Sequence, residues 1–162
     1  MFQTLRQHKF GARWAVLAAA WAIGFATLSF YWAVGGRWLI STLAHSIQDD
    51  VRSGDRGMIV TTWITGGLKL LAGLIAVAMI SGRDDRIPRW IVLLGGYAAG
   101  IIMTIYGAAS LIEKILMEFD AIDVPDSFGE DIVRWYLVLW DPFWLLGGLL
   151  FLAATRGYQS KS

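Results

Sequence analysis

Residues 58–80, MIVTTWITGGLKLLAGLIAVAMI, hold a single charged side chain, Lys69, in an otherwise uncharged and mostly apolar run. A helix rises about 1.5 Å per residue and the hydrocarbon core of a bilayer is about 30 Å thick, so this run is long enough to cross a membrane. Lys69 sits eleven residues from either end, close to the midplane. Three other segments have the same character, and the predicted spans are 14–34, 58–80, 90–112 and 133–154. The first apolar run is longer than a signal-peptide core of about 7–15 residues, and FYWAVGG is a poor cleavage site, so an uncleaved span is expected.

Composition agrees. The 162 residues are 56% hydrophobic and 17% charged, against about 25% charged in an average soluble domain, and include nine tryptophans. The length suits one domain. A net charge of +1 argues against a basic nucleic-acid binder. With no cysteine, the chain has no disulfide, thiolate nucleophile or cysteine metal site.

Of the fourteen Lys and Arg residues, eight lie in the N-terminus (Arg6, Lys9, Arg13), the second loop (Arg83, Arg86, Arg89) and the tail (Arg156, Lys161). Ten acidic residues lie in the first and third loops and only two in the second. Positive loops stay inside, so both termini are expected to be cytoplasmic in a multi-pass plasma-membrane protein. Trp14, Trp38, Trp63, Trp90, Trp135 and Tyr136 fall near span ends, as interfacial anchors do.

In the first loop, Ile40, Leu43, Ala44, Ile47 and Val51 recur at helical spacing while Gln48, Asp49 and Arg52 fall elsewhere, predicting an amphipathic helix on the outer surface. The third helix is expected to continue past the bilayer through Ile115, Leu116 and Phe119. Ser127 and Glu130 have capping-box spacing, so the fourth helix is expected to start near Phe128.

Gly-Gly pairs occur in or beside every span, at 35–36, 66–67, 95–96 and 147–148. In lipid, small residues permit the close backbone approach on which helix association rests, so Gly66, Gly73, Gly96, Gly100, Gly107 and Gly148 are read as packing positions. Helical spacing puts Thr62, Thr65, Gly66, Lys69 and Gly73 on one inward stripe of the second span. The first span offers Ala20, Gly24, Thr27, Tyr31 and Gly35, and the fourth Arg134, Asp141 and Gly148. The predicted fold is an all-α membrane protein, an antiparallel four-helix transmembrane bundle whose inner faces suit close packing.

Asp141 is the one acidic residue well inside a span. It lies about 4 Å toward the outside of its span's centre, a distance a lysine stem covers. An unpaired charge at that depth costs about 3 kcal/mol on insertion scales, so a Lys69–Asp141 ion pair is expected, with Arg134 a second partner two turns above. Pro142 disfavours helical geometry at Asp141 and removes a backbone donor, predicting a kinked but continuous helix. Two readings of the pair stay open, a structural tie fixing helix order and a site for a proton or an anion.

Other chemistry is sparse. His8 and His45 lie outside the spans, which excludes a bis-histidine haem in the bundle, and His45 is read as solvated. Asp120, Asp123, Asp126, Glu130 and Asp131 could offer oxygens to Ca²⁺ but lack the EF-hand pattern. No zinc-protease, nucleophile-elbow or phosphate-loop motif is present, and Glu113, Asp131 and Asp141 form no obvious catalytic group. No catalytic residue, metal or cofactor is expected.

YWAVGGRW (31–38) and WDPFWLLGGLLFLAA (140–154) together resemble the uncharacterised bacterial four-span membrane family known as domain of unknown function 3995. The resemblance implies an integral membrane protein of bacteria or archaea and brings no activity. The leading expectation is a non-enzymatic partner subunit or scaffold surrounded by membrane lipid, with a membrane-protein partner or a second copy as its associate. The alternative is a small transporter or receptor for a polar or amphipathic molecule at Lys69 and Asp141, with Thr62 and Thr65 nearby; a lipid-modifying enzyme comes third.

Overall fold

The computed structural model describes residues 2–81 and 87–160, with backbone alone at 2–10 and 81. Arg83, Arg86 and Lys161, and the side chains of Arg6, His8 and Lys9, therefore lie outside the described residues. Helix α1 (Phe2–Ala33) leads through a 3₁₀ turn (Ile40–Thr42) to α2 (His45–Ser53). Then come α3 (Arg56–Ser81), α4 (Arg89–Glu118) and α5 (Glu130–Trp135), which passes through a π turn (Tyr136–Trp140) into α6 (Asp141–Gln159). Among the described residues, four helical segments are long and apolar enough to cross a membrane: Gly11–Ala33, Arg56–Ile80, Arg89–Glu118 and Glu130–Gln159. The architecture is the expected all-α membrane bundle.

Helix α1 lies between α3 and α6, and α6 between α1 and α4. Glycines set these approaches. A Cβ on Gly66 would meet the Phe30 ring, and one on Gly73 would meet Ile23, so α3 rides close on α1. Along α4, Gly96 seats Thr155, Gly100 seats Leu152 and Gly107 seats Leu145, while Gly148 of α6 faces Thr104 and the Gly100 carbonyl. At the end carrying the termini, a Cβ on Gly157 would stand 2.6 Å from the Gly11 Cα, so only glycine fits. Helices α3 and α4, although consecutive, share a much smaller contact, with Ile75 against Gly95 and Met79 against Gly96.

The inward face of α1 differs from the sequence expectation. Ala20, Gly24, Thr27, Tyr31 and Gly35 are all exposed, and the buried stripe is Ala15, Ala18, Ala22, Phe25, Ala26, Ser29 and Ala33. Alanine permits close approach as glycine does while keeping its helix propensity, so the alanines make the contact. Tyr136, expected as an interfacial anchor, points into the bundle instead.

The end carrying the loops is also reorganised. Leu39 enters the loop in a left-handed conformation (φ 65°), and extended backbone at Leu43 and Ala44 (ψ 162° and 144°) splits the expected long surface helix into the 3₁₀ turn and a shorter α2 starting at His45. This segment docks onto the bundle. Trp140 Nε1 donates to the Thr42 carbonyl at 3.1 Å, and the His45 and Ser46 amides donate to the carbonyls of Phe128 and Ser127. Gln48, expected on the polar side, is buried, and its amide donates to the Leu43 carbonyl at 2.7 Å. The Ser127 capping box does not form. Residues 125–129 make a turn whose Ser127 carbonyl accepts from α2, and the last helix starts at Glu130 behind Gly129 (φ 93°). Asp55 caps α3 instead, accepting from the Met58 amide at 2.8 Å.

Candidate functional site

Where α3 and α4 part, the loop-end half of the bundle holds an open-sided cavity of about 380 Å³. Its polar wall is the stripe expected on α3, with Thr62, Thr65 and Lys69, and the Ser29 hydroxyl faces them from α1. Phe25, Trp32, Tyr106, Tyr136, Trp140 and Trp144 form its aromatic walls. Thr62 and Thr65 turn their hydroxyls back to the carbonyls of Met58 and Thr62, as hydroxyls in apolar helices do, and so line the space without projecting a free donor.

Lys69 does not pair with Asp141. Its Nζ donates to Ser29 Oγ at 2.8 Å and stands 3.7 Å from the centroid of the Phe25 ring, with Trp144 at 5.5 Å. A hydroxyl and two ring faces soften the burial of an ammonium but do not balance its charge. Asp141 faces α4, where Ser110 Oγ donates to its Oδ1 at 2.7 Å. It is 1% exposed, and its Oδ2 has no hydrogen-bond partner among the described residues.

The helix ahead of Asp141 is wound differently from the helix behind it. The Asp141 amide donates to the Tyr136 carbonyl five residues back, so the chain stays helical but wide through 136–140. The continuous helix expected at Pro142 is therefore present, with the kink taken up as a π turn. An extra residue in a turn rotates the helix on its N-terminal side by about 100° relative to the helix on its C-terminal side. Arg134, expected above Asp141 on one face, accordingly points elsewhere and donates to Glu118 Oε1 at 2.9 Å.

Sequence reasoning missed a second inward lysine, which is more deeply buried than Lys69. Lys114, expected among the third-loop charges, is 4% exposed, bonded to Glu113 Oε2 at 2.6 Å and placed 4.4 Å from the Phe128 ring centroid. A signal for it exists: Gly96, Gly100, Met103, Gly107, Ser110, Lys114 and Met117 lie along one helical stripe. Lys114 and Ser110 line a second hollow that shares Ile47, Tyr106 and Tyr136 with the Lys69 cavity.

The remaining candidates stay apart. His45 is not simply solvated, since its ring packs over Gly129 and its Nε2 lies 3.1 Å from Asp131 Oδ1. Glu113, Asp131 and Asp141 thus each engage a different partner. Among the described residues, no group of three or more His, Asp or Glu side chains is disposed to hold a metal ion. What the cavity offers chemically is an ammonium at the foot of an aromatic slot.

A family model described as a protein of unknown function, DUF3995, matches residues 14–151. No curated protein and no solved structure matches the chain.

Proposed function

The chain belongs to this family of unknown function, DUF3995, and we propose that it binds an amphipathic small molecule with an anionic group at Lys69, as a receptor or carrier does. One observation carries the reading: Lys69 lies in a cavity with a neutral hydroxyl as its hydrogen-bond partner and, among the described residues, no carboxylate paired to it. A lone ammonium near the middle of a membrane is costly, and a ligand anion offsets that cost. The volume falls within the range of about 300–1,000 Å³ typical of ligand pockets, and aromatic walls suit an apolar body.

The partner-subunit reading has less support. Val60, Ile64, Leu68, Leu71 and Leu74 of α3 are exposed, but such a face is covered by lipid in a membrane and does not call for a protein. Cytoplasmic termini, as the distribution of Lys and Arg favours, place the cavity in the outer half of the membrane.

Thermal unfolding in a neutral detergent tests the proposal, with a long-chain carboxylate, the matching alcohol and the matching amine as probes. The carboxylate at a hundred times its Kd raises stability by about 2.7 kcal/mol. Alcohol and amine give much less, and Lys69→Met removes the carboxylate's advantage. Equal shifts from all three probes, or a carboxylate shift that survives in Lys69→Met, would overturn it.

A further inference from the structure

The cavity walls differ in exposure, and the difference shows where a ligand comes in. At the loop end the cavity is roofed by Leu43, which is buried, and Ile47, which is half-buried. The roof is held by the Trp140–Thr42 and Gln48–Leu43 hydrogen bonds and by the amides of His45 and Ser46. Among the lining residues only Thr61 of α3 and Tyr106 of α4 are exposed, and both lie inside membrane-spanning segments. These helices contact each other at the opposite end, around Gly95 and Gly96.

We infer that the cavity is loaded sideways from the bilayer, between α3 and α4, and that its ligand is a membrane-dissolved long-chain organic acid. The inference rests on the anion reading of Lys69 and adds the route and the ligand class. From Met58 to Lys69 the α3 wall is about 16 Å high, which accommodates most of an extended acyl chain with its carboxylate at Lys69, the remainder leaving at the rim. A water-soluble anion would have to cross the tied-down roof or the wall of Ile47, Tyr106 and Tyr136 shared with the Lys114 hollow, whereas an acid already in the bilayer meets an open rim.

The natural chain has no cysteine, so one can be placed at will. Thr61→Cys puts a thiol at the rim, and Ser46→Cys puts one on the exposed roof. Each variant is reconstituted in phosphatidylcholine vesicles and modified with a bulky maleimide, and uptake of radiolabelled palmitate into the protein is timed. Rim modification slows uptake about tenfold, the effect of about 1.4 kcal/mol on the barrier, and roof modification leaves it unchanged. Slowing by the roof label alone, or by neither label, would overturn sideways entry. If butyrate binds at Lys69 and palmitate does not, the anion reading stands and this inference falls; if Lys69→Met binds both acids as wild type does, the anion reading falls first.

Discussion

The two ends of the bundle use the same helices for opposite purposes. Toward the termini, Gly11 meets Gly157 backbone to backbone, Gly96 seats Thr155 and Ala76 is fully buried, so no room is left between helices. Toward the loops, Phe25, Trp32, Trp140 and Trp144 hold the helices apart around Lys69. Small residues sit where helices must touch, and large flat ones where they must not. The tight end makes the hollow end possible, because a cavity in one half of a small bundle needs the other half to hold the helices in register.

The largest break in this contrast comes from enlarging a contact glycine. In Gly148→Leu the new side chain starts 2.6 Å from the Thr104 backbone nitrogen, so the helices must separate, and stability falls by about 3 kcal/mol on thermal unfolding. Thr65→Leu, beside the cavity, grows into open space and changes stability by no more than about 1 kcal/mol. Similar losses from both would show that the hollow half is packed as tightly as the other.

A smaller effect sharpens the comparison within one helix. A Cβ on Gly67 meets nothing within 4 Å, so Gly67→Ala gains helix propensity, about 0.5–1 kcal/mol. Its neighbour's Cβ stands 2.7 Å from the Phe30 ring, so Gly66→Ala is less stable than Gly67→Ala. Equal gains would mean that α3 does not rest on α1 through Gly66.

Much of this is legible in residues 58–80. Length and hydropathy mark the span, and helical spacing puts Thr62, Thr65, Gly66, Lys69 and Gly73 on one face, where the structure has them. The partner of Lys69 is not legible. Depth in a bilayer can be counted along a sequence, but the angle at which a side chain leaves a helix in the assembled bundle cannot. Ser29 has no distinguishing mark in a run of small residues, and the π turn alters the face on which Arg134 lies relative to Asp141. Lys114 reads as a loop charge because α4 runs to Glu118, beyond the apolar stretch that ends at Ile112.

The central claim, that the protein itself leaves the Lys69 charge unbalanced, is tested most directly by a double-mutant cycle on unfolding free energy in detergent with Lys69→Met, Asp141→Asn and both. The two residues engage different hydroxyls on different helices, Ser29 of α1 and Ser110 of α4, so their effects add within about 0.5 kcal/mol. A coupling of about 2 kcal/mol, with each single change destabilising and the double recovering most of the loss, would mean that Lys69 and Asp141 pair after all and that the cavity holds no free charge for a ligand.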